Sequence, residues 1–340
     1  MRFGFFDQLP CPSGFSERQR YRDFIAQIEL GDALGFDTAW LGEIHFSRAF
    51  SILADPLMVL AAAAQRTTRI RLGTAVTLLP LHNPIRIVEE AATADILSDG
   101  RLEFGVGRGV AYQYPGYGIP LEESRERFEE ALDFIVQAWT NEPFSFKGKY
   151  FRAQDLSIVP KPLQSPHPPV RVAANSPDTF PFSGRRLPIF ASPLINPPDK
   201  LKAGLAIYRD TLAGTPGDTA LAFPVHVTTS RAQARQDCGA GLMRFLRVAV
   251  ELVRPKDQSD FKSFEAFRQV LARFEQVKYV DRDIGVFGDP DYCVERVRAL
   301  QREYGFDEFI CYFNQGGMMD HAMVRQSMTA FAQEVMPHCR

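Results

Sequence analysis

The spacing of apolar and polar positions predicts short buried strands that alternate with amphipathic helices along most of the chain. The first strand is Arg2–Asp7, and the segment from Ser16 to Leu34 behind it repeats its apolar residues at helical spacing. Ser16 suits the N-cap of that helix, and Gly35 suits the residue that ends it. The pattern therefore begins with a strand followed by a helix.

The same alternation recurs towards the C-terminus. Further strands are predicted at Thr38–Leu41, Ile70–Leu78, Leu102–Val106, Val170–Ala174, Leu187–Ala191, Ala222–Thr228 and Glu308–Phe313. Helices are predicted at 55–66, Pro84–Ser98, Glu122–Trp139, Asp199–Leu212, Asp289–Tyr304 and His321–Val335. Two stretches break the pattern, because Phe144–Phe151 reads as a β-hairpin and 160–169 is too rich in proline for a helix or a central strand.

About eight strand–helix pairs favour a (β/α)₈ TIM barrel, and no change of composition marks a linker, so we expect one domain over residues 1–340. A doubly wound open sheet is the main competitor, because local patterning does not separate the two folds. The glycine run at 105–109 does not have the GxGxxG spacing of a dinucleotide-binding sheet. Residues 230–283, which mix apolar and polar stretches, predict either a lid over the site or a peripheral pair of helices.

Composition and charge narrow the classes of partner. The formal net charge is −2, which gives no electrostatic reason to expect nucleic acid or a membrane surface as partner. The five cysteines are scattered and odd in number, which argues against a disulfide framework or a zinc site and favours a reducing, cytoplasmic location. The start of the chain has no signal-peptide pattern, and its apolar runs are too short to span a bilayer.

Polar side chains that follow the carboxyl ends of the predicted strands are the candidates for chemistry, because active sites of parallel barrels lie there. They are Glu43 and His45, two residues apart and so on one side of an extended segment; Arg108 between two glycines; and Asn175, Ser176 and Thr179. An arginine flanked by glycines suits an anionic ligand, and the Asn175 stretch suits a phosphate cradle at a helix start. Each also has a structural explanation as a hydrogen-bonded pair or a capping turn.

Local spacing indicates neither a metal cluster nor a Ser-His-Asp triad, and we expect no metal site. The six histidines are scattered, and His82 and Asn83 before Pro84 are explained as a helix-capping turn.

Seven stretches in order resemble bacterial luciferase and its flavin-dependent monooxygenase relatives over almost the whole chain. They are MRFGFF at the start, GFDTAWLGEIHF at 35–46, RLGTAVTLLPLHNPIR at 71–86, GRLEFGVGRG at 100–109, VRVAANSPDT at 170–179, GDPDYCVERV at 288–297 and EVMP at 334–337. The resemblance implies that reduced FMN binds at the barrel mouth and reacts with dioxygen to oxygenate an organic substrate. It also implies a flavin reductase as supplier and a homodimer or heterodimer as assembly, of which we expect the homodimer.

The resemblance also implies roles for single residues. Arg108 corresponds to the family arginine that contacts the flavin phosphate, with Ser176 and Thr179 as further phosphate contacts and Asn175 beside the flavin. The Ala75–Val76 bond corresponds to a non-proline cis peptide beneath the flavin ring. Glu43 corresponds to a family acid, and His45 to the second of two paired histidines, which would orient or protonate the reacting species.

Two departures from luciferase affect the expected reaction. Ile44 stands where luciferase has a histidine linked to its acid–base step, and Gly107 stands where it has a reactive cysteine. We therefore expect no useful luminescence and predict oxygenation of a small or medium apolar substrate instead. The alternatives are a deazaflavin-dependent dehydrogenase or reductase on the same barrel, and a non-catalytic flavin-binding paralogue.

Overall fold

The computed structural model describes residues 1–174, 177–184, 187–192, 198–214, 217–252 and 285–340. Its central feature is a closed barrel of eight parallel strands: β1 (Arg2–Asp7), β2 (Thr38–Leu41), β3 (Arg71–Thr74), β5 (Leu102–Gly107), β8 (Val170–Ala173), β9 (Ile189–Ala191), β10 (Thr219–Val227) and β12 (Glu308–Tyr312). The strands are ordered β10-β12-β1-β2-β3-β5-β8-β9, and β9 pairs with β10 to complete the ring. The predicted (β/α)₈ barrel is confirmed.

Helices surround the barrel, and their ends follow the capping signals of the sequence. The longer described helices are α1 (Glu17–Leu34), α2 (Pro56–Ala64), α3 (Pro84–Leu97), α5 (Ser124–Thr140), α7 (Pro198–Thr211), α8 (Arg231–Leu252), α9 (Pro290–Tyr304) and α10 (His321–Ala330); α4 (Tyr114–Tyr117) and α6 (Thr179–Gly184) are short. Ser16, Asp55 and Asn83 accept hydrogen bonds from the first turns of α1, α2 and α3, and Gly35 ends α1 at φ 92°. None of the described helices is long and apolar enough to cross a membrane.

The structure changes several predicted boundaries. The single strand predicted at Ile70–Leu78 is divided into β3 and the two-residue β4 (Thr77–Leu78), with Ala75–Val76 between them. The hairpin reaches further than predicted, because β6 (Phe144–Lys147) pairs with β7 (Arg152–Leu156). A three-residue strand that local patterning missed, β11 (Val286–Gly288), extends the wall beside the end of β10. Of the segment predicted as a lid, 231–252 is the single helix α8, and 253–283 lies outside the described residues.

The barrel interior is layered, because every second side chain of a strand points inward. Trp40, Phe190, Ala220 and Ile310 fill an apolar middle layer, and Phe6 and Val76 are among the partly buried residues that pack against it. The side chains on the other face of the strands join the larger core under the helices. This apolar layer fills the middle of the barrel. The polar side chains inside the barrel therefore lie at its two ends.

A charged layer lies inside the end of the barrel where the strands begin. The buried Arg171 guanidinium is paired with Asp218 and lies 3.7 Å from a Glu103 oxygen and 3.8 Å from a Glu308 oxygen. Trp40 donates its indole hydrogen bond to Glu308 Oε1 at 2.7 Å. Burial raises the pKa of Glu308, and the positive charge of Arg171 opposes that rise. Arg171 is therefore the buried positive centre of an acidic layer.

Candidate active site

Two histidines meet on one carboxylate oxygen at the opposite end of the barrel, just beyond β2. Glu43 Oε1 lies 2.7 Å from His45 Nε2 and 2.6 Å from His82 Nε2. The second carboxylate oxygen accepts the amide hydrogen of Leu78 at 2.9 Å. Glu43 and His45 are only 3% and 8% exposed, whereas the side chain of His82 is 25% exposed. We call Glu43, His45 and His82 the histidine–glutamate cluster.

The cluster favours an ionised carboxylate. Burial by itself would raise the pKa of Glu43, but hydrogen bonds from His45, His82 and the Leu78 amide outweigh it and hold the pKa below its ordinary value. Burial would lower the pKa of His82, but the hydrogen bond and the negative charge of Glu43 outweigh it and raise the pKa. Near neutral pH the cluster therefore contains a buried carboxylate that accepts hydrogen bonds from two imidazoles. Such an arrangement can hold or transfer a proton.

The predicted Glu43–His45 pair is thus confirmed as a contact, but the interpretation of His82 as part of a capping turn was incomplete. Asn83 does cap α3, accepting from the Ile85 amide at 3.0 Å. His82 just before it turns towards Glu43, which lies 39 residues away in the sequence. The only local signal was the polar pair His82–Asn83 at a strand end, which the cap explained.

The loop that follows β5 folds over the cluster. His45 donates its backbone amide hydrogen to Gln113 Oε1 at 2.8 Å, and Tyr112 donates its hydroxyl to the His45 carbonyl at 2.9 Å. The hydroxyl of Tyr117 lies 3.2 Å from each ring nitrogen of His45. Sequence reasoning missed these partners, although the tyrosine-rich run directly after Arg108 was the available signal.

Small and apolar residues form a floor beside the cluster. The Ala75–Val76 peptide is cis, as expected, and the Val76 carbonyl accepts the Glu43 amide at 3.4 Å. A Cβ at Gly107 would come within 2.4 Å of Val76 Cγ2, so only glycine fits there without a shift of Val76. The absence of a side chain at Gly107 therefore leaves room for Val76, and the two residues pack directly against each other as an apolar floor.

The candidate phosphate contacts lie at the same end of the barrel. Half-buried Arg108 follows β5 directly, and its carbonyl accepts the Tyr114 hydroxyl at 2.5 Å. Thr179 begins α6, the short helix after β8. Asn175 and Ser176 lie outside the described residues. The structure thus brings Arg108 and Thr179 to the ends of neighbouring strands, since β5 pairs with β8.

The histidine–glutamate cluster is also the group among the described residues that could hold a metal ion. One ligand atom from each of its three residues lies within 4.8 Å of the others. The hydrogen bonds to Glu43 give each imidazole a partner. The absence of a metal site therefore stays a prediction from the sequence.

Comparison with known proteins identifies relatives over most of the chain. A family model described as luciferase-like monooxygenase matches residues 1–308. Limonene 1,2-monooxygenase of Rhodococcus erythropolis is 32% identical over 321 residues, which are 92% of this chain and 79% of that protein. The oxygenase component of the flavin-dependent trigonelline monooxygenase of Acinetobacter baylyi is 31% identical over 54% of this chain and 51% of that protein.

Solved structures agree with the fold over its full length. A monooxygenase from Streptomyces bottropensis superposes with a TM-score of 0.86 at 25% identity and covers 100% of both chains. The oxygenating constituent of 3,6-diketocamphane monooxygenase from Pseudomonas putida, in complex with FMN, has a TM-score of 0.83 at 22% identity and covers 99% of this chain and 98% of that one. An F420-dependent secondary alcohol dehydrogenase has a TM-score of 0.77 at 18% identity and covers 100% of this chain and 99% of that one.

Proposed function

Since the chain belongs to the luciferase-like monooxygenase family, we propose that it is the oxygenase of a two-component system. In this proposal it takes reduced FMN from a separate flavin reductase and uses dioxygen to oxygenate a small or medium apolar organic substrate. The observation that carries the proposal is the hydrogen bond from the Glu43 amide to the Val76 carbonyl, because it sets the proton-handling cluster beside the Ala75–Val76 peptide that is expected beneath the flavin ring. The trigonelline relative, named as an oxygenase component, supports the reductase as partner.

The residues divide the work of the proposed reaction. Reduced flavin, when bound, supplies the electrons that activate dioxygen. The Val76–Gly107 floor would support its ring, and Arg108 and Thr179 would hold its phosphate, with Asn175 and Ser176 as further expected contacts. His45 holds or releases a proton at the reacting end, and ionised Glu43 keeps its ring in place. The apolar residues Phe6 and Val76 at the rim of the core limit water around the ring.

Two alternatives stay open beside the FMN-dependent oxygenase. Structures of the same fold include an F420-dependent dehydrogenase, so the barrel itself does not select the flavin. A non-catalytic paralogue is disfavoured by the histidine–glutamate cluster, because a binding protein has no need of a buried carboxylate between two imidazoles. Luminescence stays an expected absence, and cytoplasmic location stays a prediction from the cysteine content.

An anaerobic titration distinguishes the two flavins. We expect the protein to bind reduced FMN in preference to oxidised FMN and to the reduced deazaflavin, as followed by absorbance and fluorescence. Addition of dioxygen with an apolar substrate should then give an oxygenated product with less hydrogen peroxide than dioxygen consumed. Tight binding of the deazaflavin with no reaction with dioxygen would move the chain to the dehydrogenase branch.

The Arg108→Gln variant tests the phosphate site within the same titration. Loss of the guanidinium should weaken binding of reduced FMN by roughly tenfold to a hundredfold, in the range of a charge-assisted hydrogen bond. Binding of reduced riboflavin, which has no phosphate, should change little in the same variant, and this comparison is the matched control. Equal losses for FMN and riboflavin would place Arg108 against the ring or in the fold instead.

We also propose a homodimer formed through α2 and α3. The two helices contact each other, and Met58 on α2 is 70% exposed, with Ile96 and Leu97 exposed at the end of α3. Gln65 at the end of α2 donates to the Leu97 carbonyl, so Ile96 and Leu97 lie towards the opposite end of α2 from Met58. Exposed apolar side chains along both helices are typical of a protein interface. Sedimentation equilibrium should give about twice the chain mass, and Met58→Glu should shift the protein towards monomer. A monomeric wild type at micromolar concentration would contradict the proposal.

A further inference from the structure

We propose that Tyr117 fixes and transmits the proton of His45, so that the hydroxyl of Tyr117 is the route by which His45 exchanges a proton with the bound reactant. The inference rests on the proposed function, because it names a further residue of the same site. It makes Tyr117 a catalytic residue that contacts the reactant and takes its proton from His45.

The shared carboxylate determines which nitrogen of His45 is available. An ionised carboxylate only accepts hydrogen bonds, and Glu43 Oε1 faces Nε2 of both His45 and His82. Both Nε2 atoms must therefore carry their hydrogens. In neutral His45 the remaining lone pair is on Nδ1, so Nδ1 is the nitrogen that takes up or gives back a proton.

The Tyr117 hydroxyl is the side-chain group that the structure places at this nitrogen. Its oxygen is 3.2 Å from Nδ1 and 3.2 Å from Nε2, and the two rings are inclined at 71° with their centroids 5.2 Å apart. The equal distances place the oxygen off the in-plane axis of both nitrogens. Because Nε2 already donates to Glu43, Nδ1 is the acceptor that a rotation of the Tyr117 side chain brings into line with the hydroxyl. Burial and the negative charge of Glu43 raise the pKa of Tyr117, so the phenol keeps its proton near neutral pH.

The position of Tyr117 is built into the loop after β5. That loop is fastened to the backbone of His45 at two points, by Gln113 and by Tyr112. Next to Tyr117, the Phe46 ring packs over Gly116, where a Cβ would lie 2.4 Å from it. These contacts hold the loop in register with His45, which favours a fixed hydroxyl over a chance surface contact.

Exposure falls from Tyr117 to Glu43. Tyr117 is 37% exposed, His45 is 8% exposed and Glu43 is 3% exposed. Tyr117 is therefore the member of this chain of contacts that lies nearest to the surface.

The proposed proton transfer runs from His45 through Tyr117 to the reactant. In the acid direction, protonated His45 gives its Nδ1 proton to the Tyr117 oxygen while the Tyr117 hydroxyl proton passes to an oxygen of the reactant. His45 ends neutral with hydrogen on Nε2, and Tyr117 ends as a phenol, so charge and protons balance.

The variant Tyr117→Phe removes one oxygen and keeps the ring contacts with His45 and Phe46. With reduced FMN, dioxygen and a substrate turned over by the wild type, we expect kcat to fall roughly tenfold to a hundredfold. This loss is smaller than the roughly 10²–10⁴-fold contribution of a general acid or base, because His45 is still present. KM and the affinity for reduced FMN should change little. The pH profile of kcat should also shift, since the titratable groups that face His45 among the described residues are Glu43, His82 and Tyr117, and the variant removes one of them.

Two tyrosine variants serve as matched controls. Tyr112→Phe removes a hydroxyl of the same loop whose hydrogen bond, among the described residues, goes to the His45 carbonyl, so it should lower the melting temperature without moving the pH profile. Tyr150→Phe removes a surface hydroxyl bonded to Glu126 and should match the wild type. If Tyr117→Phe behaves like Tyr112→Phe, the role of Tyr117 is structural and the proposal is overturned.

Nitrogen NMR of the histidine rings tests the inference without any turnover. The wild type should show His45 with hydrogen on Nε2, and Tyr117→Phe should change the Nδ1 shift of His45 more than any shift of His321, a histidine on another face of the barrel. An Nδ1–H tautomer in the wild type would contradict the proposal. If the ring signals follow this expectation while no oxygenation is found, the proposed function fails and the Tyr117–His45 contact stands.

Discussion

Glu43→Gln is expected to reduce product formation by about 10²–10⁴-fold, the range typical for loss of acid–base catalysis. A neutral amide of the same size has one weakly basic oxygen. If that oxygen faces the two imidazoles, the NH₂ group opposes the Leu78 amide hydrogen, and if the amide is turned round, the NH₂ group opposes the hydrogens of both imidazoles. His45 would then lose its fixed tautomer. Steady-state oxygenation with reduced FMN measures the effect, and activity within about threefold of the wild type would exclude Glu43 from the chemistry.

The same substitution has an expected pH signature in stability. The folded-state pKa of Glu43 is lowered, so its contribution is present above the ordinary value of 4.5 and is lost as the pH falls through the folded pKa. The folded-state pKa of His82 is raised, so its contribution is complete below the ordinary value of 6.5 and is lost as the pH rises through the folded pKa. The difference in unfolding free energy between the wild type and Glu43→Gln should therefore be greatest between these two ordinary values.

The matched control is Glu17→Gln, which neutralises an exposed carboxylate paired with Arg48 at 2.8 Å in the neighbouring loop. Because exposed pairs contribute little, this variant should keep the activity and the pH dependence of the wild type. If Glu17→Gln lost as much activity as Glu43→Gln, the loss would reflect a general effect of charge at this end of the barrel.

Arg171→Met is expected to cost about 3–5 kcal/mol of unfolding free energy at pH 7, the range for removing one partner of a buried charge network. Without the guanidinium, Glu308 and Glu103 lose the buried positive charge between them. The remaining positive charges are Arg2 beside Glu308 and Arg71 beside Glu103, at the edge of the layer. The pKa of Glu308 is already raised by burial and should rise further. A carboxyl with a raised folded-state pKa stabilises the folded state as the pH falls. The loss of unfolding free energy in Arg171→Met should therefore be smaller at pH 5 than at pH 7.

Two comparisons make this measurement decisive. Arg66→Met breaks an exposed ion pair with Glu29 and should cost at most about 1 kcal/mol. Adding Glu308→Gln to Arg171→Met should recover part of the loss, because the uncompensated buried charge is removed. A loss of unfolding free energy below about 1 kcal/mol for Arg171→Met would contradict the inference that the charged layer contributes substantially to the stability of the barrel.

The fold was predictable because its signals are local. The run Arg2–Asp7, the caps at Asp55 and Asn83 and the stop at Gly35 each depend on a few adjacent residues. Closure of the ring between β9 and β10 depends on the summed tilt and register of eight strands, and no local pattern encodes it. The three-residue β11 is too short for periodicity to show.

The site was predictable only in part. Glu43 and His45 lie two residues apart, so their contact follows from strand geometry, whereas His82 and Tyr117 arrive from loops 39 and 72 residues away from their partners. The charged layer had a weaker signal, an arginine within the apolar strand VRVA and a glutamate that opens EFICY. Such residues were assigned to strands correctly, but their mutual contacts depend on the closed barrel.

The charged layer and the histidine–glutamate cluster occupy opposite ends of the barrel, with the apolar layer around Trp40 between them. This separation bears on how the chain can evolve. Substitutions in the loops beyond β2 and β5 alter the reaction and its substrate while the ion pairs of Arg171 stay intact. A lineage that carries this barrel can therefore exchange one substrate for another through changes at the mouth, while selection for persistence of the fold acts at the other end.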